Sequence, residues 1–272
     1  MKSNHLIVSG RAKLAVEIVG SGNPVIFVHA RVADKRMWDA QLDGIGVTNK
    51  AIAYDRRGFG ETHAEQEDFS AVADLMTVVD STTNGMPAIL VGCSQGGGIV
   101  LDTVLQHPSR IRALVLIAPN VTGAPEAIGV PNIESLLMQQ KEAEKIGDLD
   151  KVIAIRTRLF LDGPLGPQGR VTGQARELFV NMNSVALGST PTGVNLDTAP
   201  AYDRLGEISV PSLVICGDLD LPHIRERSRH VAETVLNGSY HELSGVAHLP
   251  SLERPAYITG LFAEFITRCA ID

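Results

Sequence analysis

A serine, a histidine and an aspartate stand in this chain in an order and with neighbours that permit nucleophilic catalysis. The serine is Ser94, inside Gly92-Cys93-Ser94-Gln95-Gly96, a G-x-S-x-G sequence. A serine hydroxyl attacks poorly until a base takes its proton, and histidine titrates near neutral pH. His248, in Gly245-Val246-Ala247-His248, is the candidate base. A carboxylate that fixes the imidazole tautomer and stabilises the imidazolium completes such a set. Gly217-Asp218-Leu219-Asp220 offers two, Asp218 and Asp220. A helix opening at Gln95 leaves its first amides unpaired, and the Gln95 N–H then faces an oxyanion forming beside Ser94.

These residues need rigid supports, and the surrounding patterns supply them. Ala88-Ile89-Leu90-Val91 is an apolar run of strand length, and a helical pattern follows the serine from Gln95 to about Gln106. The glycines flanking Ser94 let two backbones approach where a Cβ would clash. Upstream, His5 to Gly20 reads as two short strands about Gly10-Arg11. Val25–Val28 and Lys50–Asp55 are further strands, the first buried on both faces by its unbroken apolar character. A helix is expected through Leu42 and another from Ser70 to Ser81, with Ser70 as its N-cap. Ala113–Ile117 is the sixth strand, closed by Ala118-Pro119-Asn120.

Strands alternating with helices imply a mostly parallel sheet with helices on both faces. The rhythm breaks from Val121 to about Tyr202, where three helical stretches (133–145, 149–161, 174–187) are separated by Gly/Pro joints. This segment reads as a helical cap inserted after the sixth strand, dividing a core of residues 1–120 and 203–272. The sheet resumes at Ser212–Gly217, followed by a helix near 226–236, a strand at Tyr240–Leu243 and a closing helix from about Pro255 to Arg268.

Five motifs in order give the chain a specific resemblance to the α/β-hydrolase superfamily, in its compact esterase, lactonase and haloperoxidase-like branch. They are His29-Ala30-Arg31, Asp55-Arg56-Arg57-Gly58-Phe59-Gly60, Gly92-Cys93-Ser94-Gln95-Gly96-Gly97, Gly217-Asp218-Leu219-Asp220, and Gly245-Val246-Ala247-His248 running on to Pro255. The stretch from Val32 to Gln41 is similar to enol-lactone hydrolases. The resemblance implies an α/β-hydrolase fold over the whole chain outside the cap. It selects Asp220 over Asp218 as the acid and gives the second oxyanion donor as the backbone N–H of Arg31. Two departures are visible: Ala30 stands where the family usually has glycine, and Arg31 puts a long cation where many members carry a small or apolar residue.

The expected activity is cofactor-independent hydrolysis of small-molecule esters or lactones through an acyl-enzyme on Ser94. Acyl transfer to hydrogen peroxide is the alternative within the same chemistry, and a ligand-binding receptor on a hydrolase scaffold is the alternative outside it. Substrate contacts are expected from Trp38 and from Arg31, whose guanidinium either faces solvent or receives a substrate carboxylate. His29 is expected to pack beneath the oxyanion loop. Trp38, Met138 and Phe160 also suit plain packing, and the charge run from Lys141 to Lys145 suits a solvated helix face. A net charge of −7 over 272 residues disfavours nucleic acid or an anionic membrane as a partner. Cys93, Cys216 and Cys269, odd in number and in or near apolar stretches, read as free thiols. With no apolar run of spanning length and no leader-like start, the expected compartment is the cytoplasm.

Overall fold

The computed structural model describes residues 2–198 and 200–269. Its strands are β1 (Lys2–Ser9), β2 (Ala12–Gly20), β3 (Pro24–Val28), β4 (Lys50–Tyr54), β5 (Ala88–Cys93), β6 (Ile111–Ile117), β7 (Ser212–Gly217) and β8 (Gly238–Leu243). They form one sheet in the order β1-β2-β4-β3-β5-β6-β7-β8, with the two-residue strand His63–Ala64 added beside β2. β1 and β2 are antiparallel to their neighbours, and every pairing from β4 to β8 is parallel.

The central strands are buried throughout because apolar side chains cover both faces. Alternation sends Val25 and Phe27 to one core with Trp38, Leu42 and Phe262, while Ile26 and Val28 enter the other with Leu75, Leu90 and Val100. α1 (Asp39–Ile45) and the closing helix pack on the first side; α2 (Ala71–Thr83) and α3 (Gln95–Gln106) pack on the second. Ser70 caps α2 as expected, its hydroxyl accepting the Ala73 amide at 3.0 Å.

Between β6 and β7 lie α4 (Pro131–Ile146), α5 (Leu149–Arg156) and α6 (Gln174–Leu187). The expected helix 149–161 does not run through: its last turn, Thr157–Leu161, is π-helical. The Thr157 hydroxyl bonds back to Ile153 O at 2.7 Å, a local competitor for the regular ladder. After β7, α7 spans Pro222–Thr234, starting four residues before the expected 226 because Pro222 occupies its first turn. A short turn, α8 (Pro250–Glu253), and α9 (Pro255–Cys269) close the chain. β8 begins at Gly238 rather than Tyr240. No described helix is long and apolar enough to cross a membrane.

The sheet order fixes where loops converge. The chain leaves β3 towards β4 on one side and later leaves β5 towards β6 on the other, so a crevice opens between the ends of β3 and β5. Val28 lies level with Gly92, and Gly92 with Leu116, which brings the loops after all three strands side by side.

Candidate active site

Ser94 sits in that crevice at φ +54° and ψ −117°, a conformation that costs a non-glycine residue roughly 1–3 kcal/mol. The neighbouring backbone over-determines it. Ser94 N donates to Ile117 O at 2.9 Å, while Ser94 O accepts from Asn120 N at 2.9 Å and Gly98 N at 3.1 Å. The flanking glycines are sterically required: a Cβ on Gly96 would lie 2.3 Å from Val28 O, and one on Gly92 would lie 2.6 Å from Gly96 O. Ala118, at φ +44°, turns the end of β6 beneath the same loop.

Asp220 follows β7 and is fully buried. Its Oδ2 accepts from His248 Nδ1 at 2.7 Å and its Oδ1 from the Leu221 amide at 2.7 Å. That bond places the proton on Nδ1 and leaves His248 Nε2 as the free acceptor; this atom is buried without a hydrogen-bond partner. Asp218 does other work, its Oδ1 accepting the Gly245 amide at 2.7 Å and so tying the loop after β7 to the loop carrying His248. Cys93 Sγ lies 3.7 Å from His248 O and is fully buried, which pushes its thiol well above the usual range and leaves it unsuited to act as a thiolate.

The loop after β3 carries Arg31. Among the described residues, neither the Arg31 nor the Gln95 amide donates a hydrogen bond. Buried His29 pins this loop from below: Nε2 accepts the Arg56 amide at 3.1 Å, so Nδ1 is the donor to Ala30 O at 2.8 Å. Burial holds its pKa well below the ordinary imidazole value and keeps it neutral. Ala30 is fully buried with Val32 and Ala33, so its extra methyl belongs to the core.

A cavity of about 460 Å³, a size suited to a small molecule, joins these groups. Ser94, Gln95, His248 and Arg31 form its floor, while α4, α5 and the π-turn form the opposite wall through Leu137, Glu144, Arg156 and Phe160. The Phe160 ring lies 5.2 Å from the His248 ring. Trp38 is not at this site. It is fully buried between Phe27 and Phe262, with ring centroids at 5.4 and 6.4 Å, because the loop after β3 folds it onto the sheet. The Lys141–Lys145 run is not simply a solvated face either, since Lys141 and Glu144 line the cavity. Phe160, Arg156 and His223 are lining residues that periodicity does not distinguish from packing residues. Burial lowers the His223 pKa, with Arg227 adding to it.

Side-chain bonds tie the helical wall to the floor, among them Arg36 Nη1 donating to Asn181 Oδ1 at 2.8 Å. Asn183 Nδ2 donates to Val32 O at 2.8 Å, and the Asp34 amide approaches Met182 Sδ at 3.4 Å. Arg170 bonds Glu253 at 2.6 Å, and the same carboxylate accepts the Ala247 amide at 2.9 Å, next to His248.

The strained serine between two close backbones and the histidine held by a buried carboxylate line one cavity. The model of the alpha/beta hydrolase family matches residues 25–259, and the chain belongs to that family. It is 28% identical over 268 residues to a putative non-heme bromoperoxidase, BpoC, of Mycobacterium tuberculosis, covering 93% of this chain and 97% of that one. Among solved structures, the enol-lactonase from Burkholderia xenovorans superposes with a TM-score of 0.74 at 21% identity, over 97% of this chain and all of that one. A thermophilic esterase from Thermogutta terrifontis superposes with a TM-score of 0.73 at 21% identity, over 99% of both. These likenesses establish a shared fold.

Proposed function

We propose that the protein is a serine hydrolase that cleaves carboxylic esters or lactones of small molecules. The observation that carries this reading is the unpartnered Nε2 of His248, a residue oriented by Asp220 that lines the same cavity as Ser94. His248 takes the Ser94 hydroxyl proton as the oxygen attacks the carbonyl. The oxyanion is met by the N–H groups of Gln95 and Arg31. The intermediate collapses, and the leaving alkoxide takes the proton from His248. Water then gives a proton to the same nitrogen as it attacks the acyl-enzyme, and that intermediate expels Ser94 Oγ, which takes the proton back from His248 as the acid is released. In a lactone the alkoxide stays tethered. The helices between β6 and β7 act as the cap that selects the substrate.

The resemblance to a bromoperoxidase supports a second acceptor, hydrogen peroxide, whose attack on the same acyl-enzyme yields a peracid. The deciding experiment is a panel of esters and lactones, with a parallel assay for peracid in acetate and peroxide. Ser94→Ala should lose roughly a thousandfold or more in rate, and a fluorophosphonate should label Ser94 stoichiometrically. Undiminished ester hydrolysis by Ser94→Ala would overturn the mechanism. Labelling without turnover on any substrate would favour a receptor.

A further inference from the structure

Two cavities meet beside Ser94. The first shares Arg31, Gln95 and Asn120 with a second of about 480 Å³, which runs beneath residues 192–197 towards Tyr54 and Arg56. His248 lines only the first. Because the leaving oxygen takes its proton from His248, the leaving group lies in the first cavity. The acyl chain then points the other way, towards the junction.

Three guanidiniums surround that junction. Arg31 is exposed and lines both cavities, and its side chain makes no hydrogen bond or ion pair among the described residues. Arg56 is 8% exposed; its Nη1 donates to Gln95 Oε1 at 2.9 Å, while Nε and Nη2 are buried without partners. Arg156, 7% exposed and lining the first cavity, donates to Glu144 at 3.1 Å and to Asn183 Oδ1 at 3.4 Å. Burial, with the Arg31 charge adding to it, brings Arg56 down to about 10, and the same two causes lower Arg156. Arg56 and Arg156 stay charged at neutral pH.

The acids of the second cavity are already engaged. Asp74 pairs with Arg57 at 2.8 Å, Asp197 accepts the Ser70 hydroxyl and the Val72 amide, and Asp102 accepts the Thr122 hydroxyl. Mutually repelling cations, of which Arg31 and Arg56 have unused donors, in a chain with 31 acidic and 24 basic residues, leave a place for one anion.

We infer that this junction receives a carboxylate at the far end of the substrate's acyl chain, with Arg31 as its direct partner and Arg56 and Arg156 as flanking charges. The substrates are then half-esters of dicarboxylic acids, or lactones whose acyl side carries an acid. This inference rests on the serine-hydrolase reading for the direction of the acyl chain, and on Arg31, Arg56 and Arg156 for the anion.

The test compares monoethyl adipate with ethyl hexanoate, two acyl chains of equal length that differ in the terminal carboxylate. The wild type should favour the adipate by about 100-fold in kcat/KM, the range of a charge-assisted hydrogen bond. Arg31→Ala, which keeps the backbone N–H, and Arg156→Met should each cut that ratio about tenfold, and Arg31→Lys should retain more of it than Arg31→Ala. A wild-type ratio near one, or a ratio unmoved in Arg31→Ala, overturns the inference. If neither ester is turned over, the hydrolase reading fails, and calorimetry with adipate on Ser94→Ala decides the anion site separately. Saturable binding weakened at least about tenfold by adding Arg31→Ala supports it, and absence of binding overturns it. Circular dichroism of each variant separates a lost site from a lost fold.

Discussion

The floor of the cavity and its helical wall are built on different principles. On the floor, Ser94 is fixed by three backbone hydrogen bonds and by glycines that no other residue can replace without overlap. Asp220 and His248 follow strand ends held in parallel register. On the wall, α4, α5 and α6 lie in the 131–187 interval, and side-chain bonds tie it to the floor, such as Asn183 to Val32, Asn181 to Arg36, Met182 to Asp34, and Arg170 to Glu253. Backbone over-determination suits groups whose positions must not vary with substrate. A wall held by replaceable side chains can change shape, and with it specificity, while the chemistry beneath stays intact.

The sharpest way to probe the floor is to change its chemistry and leave its shape. Asp220→Asn keeps the size of the group that faces His248 Nδ1 but accepts no more than the neutral partner allows, and favours the wrong imidazole tautomer. We expect a loss of about 10⁴ in kcat on the best ester, measured by steady-state kinetics. Urea unfolding should stay within about 1–2 kcal/mol of wild type. A rate within tenfold of wild type would remove Asp220 from the proposed mechanism. Gly96→Ala attacks the same floor through shape. The added Cβ, 2.3 Å from Val28 O and 2.6 Å from His29 O, meets backbone rather than a flexible side chain it could displace. It should cost about 3 kcal/mol or more, read from the urea midpoint, with loss of activity in proportion to the unfolded fraction and beyond.

Legibility in the sequence follows the same division. β5, the turn at Ser94 and α3 can be read because their cause is local: an apolar run, two glycines and a helical period. The Ser70 cap and α6, which spans 174–187 in both sequence and structure, are legible for the same reason. Trp38 is not, because what decides its place is Phe262, which no local pattern links to it. Phe160 and Arg156 escape because periodicity gives the helix but not the π-turn that aims Phe160 at His248. The early start of α7 did have a signal, Pro222 in its first turn. Arg56 and Arg57 show the limit clearly. They are adjacent in sequence, yet Arg57 bonds Asp74, Glu67 and Ser9 O while Arg56 bonds only Gln95 through its side chain. Both line the second cavity, and only the fold separates the arginine whose charge is paired there from the one whose donors are left over.

The wall's ties should fail more gently than the floor. Arg170→Met removes the partner of Glu253, whose side chain is 3% exposed, and should cost about 3 kcal/mol near neutral pH. Burial already raises the Glu253 pKa above 4.5, with Arg170 opposing that rise. Without Arg170 the rise is larger. A carboxyl raised in the folded state carries no penalty below its unfolded pKa and a growing one as pH climbs through the folded value. The deficit of Arg170→Met should therefore shrink as pH falls from 8 towards 4.5. A deficit independent of pH would show that Glu253 is not the residue left strained.

The smallest effect we expect lies at the rear of the second cavity and tests whether that chamber belongs to the rigid half. Burial raises the Asp102 carboxyl to about 6, opposed by the Thr122 hydroxyl and reinforced by Asp197. The residue is 4% exposed, on α3 about two turns after Ser94. Its charge is thus a cost to folding that is absent below the unfolded pKa of 3.8, grows between there and about 6, and is constant above. Asp102→Asn keeps an acceptor for Thr122 and removes the titration. It should be about as stable as wild type at pH 4 and more stable by on the order of 1 kcal/mol at pH 7. The measurement is the urea midpoint of both proteins across that interval. A constant difference would mean that the cavity is wet enough to solvate the carboxylate, and that the rear of the second chamber yields as readily as the helical wall.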